Sequence, residues 1–390
     1  MSSRLIVAIP KPVGTLWTGG VTYIQNLISA VNKYAYDKIE FIIYEPASSS
    51  KEETQNPALN YLSQNINLIL PALSRKILGV DYKVQRDIDR LPEAPVDAVF
   101  NISCYVNKSI AKISWLPDFQ QLHLPEMFSE SEVKGRNAAF LDTAIRSDLV
   151  VLSSQDALND YSRFAPDYIS KARVLHFTAS VPEGIYDIAP ETVCRIYNLP
   201  EKFIYLPNQL WKHKNHLTVL EALSILKKRG KCNDVFLVCT GNMNDVRNPS
   251  FMSALFGKIS ELELRNRAAF LGMVPYEHVF SLIRQSAFVI NPSLFEGWST
   301  TVEETKSVGK SILLSDLNVH REQNPPNAMY FAPKSAEELS EKIEKMWNNL
   351  PPGPDLEMET KAKKSLPERQ EDYALTFAKI VKEAVEKKKV

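Results

Sequence analysis

Two glutamates, Glu296 and Glu304, stand with seven residues between them in the stretch of this 390-residue chain richest in possible chemistry. That stretch reads Asn291-Pro-Ser-Leu-Phe-Glu-Gly-Trp-Ser-Thr-Thr-Val-Glu-Glu304. It follows the short apolar run Ala287–Ile290, which reads as a strand, and leads into a helical pattern over Thr300–Val308. Glu296 falls in the loop and Glu304 about one turn inside the helix. Gly297 lets a ligand approach the backbone closely, and Ser299, Thr300 and Thr301 are N-cap candidates. The free N–H groups and positive dipole end of such a helix favour an anion such as phosphate. A carboxylate on each side can accept bonds from hydroxyls. Phosphate beside hydroxyl-rich groups describes a nucleotide sugar. The alternative is a capped helix with solvent-facing glutamates.

Three further segments carry polar groups at strand ends. Tyr205-Leu-Pro-Asn-Gln-Leu-Trp-Lys-His-Lys-Asn-His216 follows the strand Phe203–Leu206. Its Lys212 and Lys214 can act as point charges on phosphate, or form a solvated basic loop. His213 and His216 are three apart, but no nearby carboxylate or cysteine completes a metal site, so no metal is expected. Trp17-Thr-Gly-Gly20 lies between the first strand and its helix. Gly19 and Gly20 there permit backbone approach to a ligand, or simply make a tight turn. Trp115-Leu-Pro-Asp-Phe-Gln-Gln-Leu-His123 places Asp118 and His123 after another strand, where a lone histidine is either structural or functional.

The elements that must position these groups alternate. Strand patterns at Arg4–Ile9, Ile39–Tyr44, Val96–Ile102, Ile113–Leu116 and Leu149–Leu152 interleave with helical spacing at Val21–Val31 and Asn137–Arg146. The pattern restarts with Phe203–Leu206, a helix over Leu217–Leu226, strands at Val235–Cys239, Ala268–Leu271, Ala287–Ile290 and Ser311–Leu314, and a helix over Ala336–Trp347. Such alternation implies βαβ units and mainly parallel sheets. Residues 181–200 carry Pro182, Gly184, Pro190 and Pro200 and read as a linker. The expected organisation is a first α/β domain over 1–180, a second over 201–365, and a closing helix over 368–387. Two such sheets facing each other leave a cleft at the carboxyl ends of their strands.

Composition narrows the partners. Lys+Arg and Asp+Glu each number 46, so the net charge is zero, which speaks against a nucleic-acid partner. The chain shows no apolar run of about 18 residues and no signal-peptide profile. Cys104, Cys194, Cys232 and Cys239 form no Cys-x-x-Cys pair and read as free thiols. The expected setting is cytoplasmic. The Lys387-Lys-Lys389 tail leaves a peripheral membrane contact open.

Together the segments resemble the retaining glycosyltransferases of family four, which have the GT-B fold of two Rossmann-like domains around a central cleft. Glu296-x7-Glu304 matches that family's paired-glutamate motif, Pro207–His216 a variant of its phosphate loop, and Gly19-Gly20 its N-terminal glycine loop. The resemblance covers nearly the whole chain. It implies that Glu304 binds the ribose hydroxyls and Glu296 sugar hydroxyls near the reacting carbon. It further implies that Lys214 holds the diphosphate and stabilises the leaving group. The backbone of Gly297, Trp298, Ser299, Thr300 and Thr301 would hold sugar and phosphate. His123 matches the histidine that touches the sugar, and the closing helix would pack back on the first domain. Where many members carry an arginine five residues before the phosphate lysine, this chain has Gln209, so one positive charge is missing; Lys212 is the candidate replacement. The family needs no metal and no cofactor, the nucleotide sugar being substrate.

The function implied is transfer of a sugar from a nucleoside-diphosphate sugar to a glycan or lipid-linked acceptor, with retention, in surface polysaccharide or glycolipid synthesis. The alternatives are a GT-B epimerase or glycoside phosphorylase, or a non-catalytic GT-B subunit. Asp87-Ile-Asp89, beside Arg86 and Arg90, reads as a solvated helix face. Ser48–Asn56 would shape the acceptor site. The loops Thr240–Met243 and Gly272–Pro275 would select the donor.

Overall fold

The computed structural model describes residues 4–11, 18–44, 96–101, 109–245 and 247–389. The first set of elements is β1 (Leu5–Pro10), α1 (Thr18–Tyr34), β2 (Ile39–Tyr44), β3 (Ala98–Phe100), β4 (Ala111–Leu116), α2 (Gln120–His123), α3 (Glu130–Arg146), β5 (Leu149–Leu152), α4 (Gln155–Phe164) and β6 (Ala172–Val174). The second is α5 (Thr192–Tyr197), β7 (Ile204–Leu206), α6 (His216–Lys228), β8 (Leu237–Cys239), α7 (Phe251–Glu261), β9 (Ala268–Phe270), α8 (Tyr276–Gln285), β10 (Phe288–Asn291), α9 (Thr300–Ser307), β11 (Ile312–Ser315), α10 (Asn318–Gln323), β12 (Ala328–Phe331), α11 (Ala336–Asn349) and α12 (Leu356–Lys388).

Among the described residues the strands form two six-stranded sheets, in the orders β2-β1-β3-β4-β5-β6 and β12-β11-β10-β7-β8-β9. Every strand pair among the described residues is parallel. This is the α/β class that the alternating pattern predicts. Parallel sheets are covered on both faces, so their strands are apolar throughout. β10 shows why: Phe288 and Ile290 enter one core cluster and Val289 another. The chain packs as two units, Met1–Phe177 with Arg369–Val390, and Thr178–Glu368.

The first unit is rich in ring contacts. Tyr23 stacks on Trp115 with centroids 3.8 Å apart, and Phe377 of α12 meets Phe100 edge-on at 5.1 Å. α3 begins earlier than its apolar spacing suggests. Ser129 and Glu132 form a capping box there, each side chain bonding the other's backbone N–H.

Two expectations based on proline need correction. Residues 181–200 form no bare linker: they contain α5, and Ile185, Val193 and Cys194 enter a core cluster with Phe203 and Tyr205. Proline and glycine shape this segment's turns, while its apolar residues decide that it packs. The last helix also starts earlier than 368. α12 runs unbroken from Leu356 with Pro367 inside it. Proline removes one backbone donor, yet on the carboxy-terminal side the buried row Tyr373, Ala374, Phe377, Val381 and Ala384 keeps helical spacing. Gly19 and Gly20 differ too, lying in the first turn of α1 and not in a loop before it.

Among the described residues no helix is long and apolar enough to cross a membrane. Cys194, Cys232 and Cys239 are free thiols. Cys104, Trp17, Asp87-Ile-Asp89 and Ser48–Asn56 lie outside the described residues.

Candidate active site

β7 and β10 are neighbours in the second sheet, so the segments that follow them emerge side by side. Side chains then tie the two segments together. Asn208 donates to Asn291 Oδ1 at 2.9 Å, and Thr301 Oγ1 donates to Asn208 Oδ1 at 2.8 Å. Asn215 donates to the Pro292 carbonyl at 2.9 Å, and the Leu294 amide donates to the His213 carbonyl at the same distance. Asn215 adopts the left-handed conformation (φ 60°) that asparagine tolerates, ending a single 3₁₀ turn over Lys212–Lys214 and opening α6. Gly241 supports the first loop from behind. At its φ of 132° a Cβ would lie 2.5 Å from the Asn208 carbonyl oxygen, so only glycine fits.

This clamp sets Lys214 against Glu296. Lys214 Nζ donates to Glu296 Oε1 at 2.7 Å, with only 14% and 9% of the two side chains exposed. Ser293 Oγ approaches the same oxygen at 2.7 Å. Burial pushes the Glu296 carboxyl up, but the Lys214 ammonium, the nearby His320 and these hydrogen bonds more than offset it. The carboxyl is held below its ordinary range and stays ionised.

Glu304 has the opposite environment. It is buried in α9, and burial pushes its carboxyl up to about 8, against a hydrogen bond with the Tyr276 hydroxyl. Of the candidate caps, Ser299 is the one used: its Oγ accepts from the Val302 amide. The same Oγ accepts from Asn291 at 2.8 Å. The start of α9 is therefore fixed to the end of β10.

Residues 196–365 match the family model described as glycosyl transferases group 1. The chain has the GT-B fold. It is similar to the sucrose-phosphate synthase of Thermosynechococcus elongatus, at 13% identity and a TM-score of 0.65, over 97% of this chain and 99% of that one. It is also similar to HepE of Anabaena in complex with UDP-glucose (13% identity, TM-score 0.59, 98% and 99% covered). A glycosyltransferase from Rickettsia africae gives 17% identity and a TM-score of 0.55, with 100% and 98% covered. No curated protein matches the chain by sequence.

Within this GT-B chain the expected residues fall into three groups. Lys214, Glu296, Gly297, Trp298, Ser299, Thr300, Thr301 and Glu304 all lie on the two clamped segments or the helix they open. Gln209 is adjacent but occupied, its Oε1 accepting from the Asn242 amide at 2.6 Å. Lys212 has an exposed side chain, and its amide donates to Asp245 at 3.0 Å. His123, Gly19 and Gly20 belong to the first unit. There His123 Nε2 pairs with Asp160 Oδ2 at 2.7 Å, on the adjacent α4. Burial raises the Asp160 carboxyl against the pull of His123.

The histidines of the segment after β7 are core residues. His213 and His216 are buried, and burial pushes His216 down to about 3, so it is neutral. Among the described residues no group of three possible metal ligands forms.

Sequence reasoning passed over several residues of this site. Asn208, Asn291 and Ser293 stand inside the segments quoted but carry no obvious chemistry alone. Tyr276, His320 and Gln323 come from α8 and α10, far along the chain. Arg247 stacks over the Trp211 ring at 5.6 Å and brings a guanidinium beside the segment after β7. The one available signal was His320-Arg-Glu-Gln323 a few residues after a strand: polar side chains three apart, so on one helical face.

Proposed function

We propose that this protein is a retaining glycosyltransferase that moves a sugar from a nucleoside-diphosphate sugar to a glycan or lipid-linked acceptor, in cytoplasmic synthesis of a surface polysaccharide or glycolipid. The observation that carries this reading is the Lys214–Glu296 pair, 2.7 Å apart at the mouth of a capped helix that also holds Glu304. The match of this region to glycosyl transferases group 1 supports it.

In this reading the diphosphate lies against Lys214 and the start of α9, where an ammonium and aligned N–H groups offset its charge. These groups supply positive charge without a metal. Glu296 accepts from sugar hydroxyls and Glu304 from the ribose. Gly297 to Thr301 line the phosphate and sugar. The bond from the anomeric carbon to the phosphate oxygen breaks while the acceptor oxygen bonds on the same face. The acceptor's proton passes to the leaving phosphate oxygen. UDP-glucose is the first donor to try, since HepE was solved with it.

The test is a thermal-shift screen of nucleoside diphosphates and their sugars, followed by donor consumption with Lys214→Ala and Glu296→Ala. The expected result is ligand-raised stability in the wild type and turnover lost in both variants. Unchanged turnover in both would overturn the assignment. Donor binding without turnover across an acceptor panel would replace it with a binding subunit.

A further inference from the structure

One short helix reaches both ends of the loop that carries Glu296. α10 sends His320 to the Glu296 end and Gln323 to the helix-cap end, and both side chains are buried. His320 Nδ1 lies 2.8 Å from the Ser315 carbonyl oxygen. A carbonyl only accepts, so Nδ1 carries the proton. Ser315 Oγ donates to the Ser293 carbonyl at 2.6 Å, and Ser293 Oγ reaches Glu296 Oε1 at 2.7 Å. His320 also lies close enough to Glu296 for each to act on the other's charge. Its Nε2 is buried with no hydrogen-bond partner among the described residues. Burial lowers the basicity of the ring, and the Glu296 carboxylate works against that.

Gln323 uses its amide as a two-pronged clip. Its Oε1 accepts from the Ser299 amide at 3.1 Å and its Nε2 donates to the Ser299 carbonyl at 3.0 Å. The same nitrogen donates to Glu303 at 3.1 Å. Lys306 closes the arrangement by donating to the Gln323 carbonyl at 2.8 Å.

We propose that His320 and Gln323 are positioning residues with separate duties: His320 sets Glu296 for the sugar, and Gln323 sets the Ser299 turn for the diphosphate. This rests on the nucleotide-sugar reading. A helix held only for stability would lose both functions together. Two independent hydrogen-bonded routes to two ends of one loop lose them separately.

The experiment is calorimetry on the full chain with UDP and UDP-glucose, repeated with GDP and GDP-mannose, beside melting temperatures for each variant. His320→Ala is expected to keep its UDP affinity within about threefold and lose roughly tenfold in the extra affinity the sugar confers, the scale of one lost hydrogen bond. His320→Asn, which keeps a donor near the Nδ1 position, is expected to recover most of it. Gln323→Ala is expected to lose roughly tenfold for UDP and UDP-glucose alike, leaving the sugar's increment intact. Equal losses for both ligands in His320→Ala, or no rescue by asparagine, would overturn the assignment while the nucleotide-sugar reading stands. A wild-type chain that binds none of the four ligands overturns both.

Discussion

The loop around Glu296 and the helical turn around Glu304 give one side-chain type two opposite environments. Both carboxyls are largely buried, and burial alone raises each. Glu296 meets an ammonium at 2.7 Å and stays ionised, whereas Glu304 meets a tyrosine hydroxyl and is pushed up to about 8. The partners that decide this, Lys214 and Tyr276, arrive from other segments. Spacing along the chain therefore brings two carboxylates to one site but does not set their charge.

The largest test of this contrast removes the cation. Lys214→Ala leaves Glu296 as a nearly buried charge without its main partner. Loss of one member of such a pair costs about 3 kcal/mol, and loss of a leaving-group contact about 10²–10³-fold in turnover. Denaturant unfolding and donor consumption measure the two. Adding Glu296→Gln removes the stranded charge, so the double variant should recover stability while staying inactive. A single variant as stable as the wild type would mean that Lys214 does not hold Glu296 ionised.

The opposite test removes the raised carboxyl. Between its ordinary value of 4.5 and about 8, folded Glu304 keeps a proton that the unfolded chain releases. The folded state binds more protons there, so stability falls as pH rises, by up to about 1.4 kcal/mol per unit. The loss is absent below that window and constant above it. Glu304→Gln, which cannot ionise, should flatten this slope and be more stable than the wild type near pH 8. Above pH 8, where the wild-type group is ionised, it should also bind nucleoside diphosphate about tenfold more weakly, because an amide accepts ribose hydroxyls less well than a carboxylate. Parallel urea-unfolding curves from pH 5 to 8 for wild type and variant would contradict the assigned environment.

The same contrast marks what the sequence could reveal. Parallel sheets were legible because their strands are short, apolar runs separated by helical spacing, as in Phe288–Asn291 before Thr300–Ser307. The site's outline was legible because Lys214 and Glu296 lie in polar segments that directly follow strands. Proline misled at 181–200 and at Pro367, where packing of Val193 on one side and Phe377 on the other outweighs a local breaking tendency. Hidden throughout were contacts set by tertiary pairing. Nothing near Glu304 in sequence announces Tyr276, and nothing near Ser299 announces Gln323.

The smallest expected effect comes from the cation beside the buried pair. Lys212 stands two residues from Lys214 on the same 3₁₀ turn, but its side chain is exposed while Lys214 is 86% covered. Exposed charges act through water and salt, so each is worth little and fades with ionic strength. Lys212→Ala should therefore weaken nucleoside-diphosphate binding only about two- to threefold at low salt and not at all near 0.5 M, with no loss of stability. Calorimetry across a salt series checks this. A salt-resistant loss as large as that of Lys214→Ala would instead make Lys212 a direct phosphate ligand, supplying the charge that Gln209 lacks.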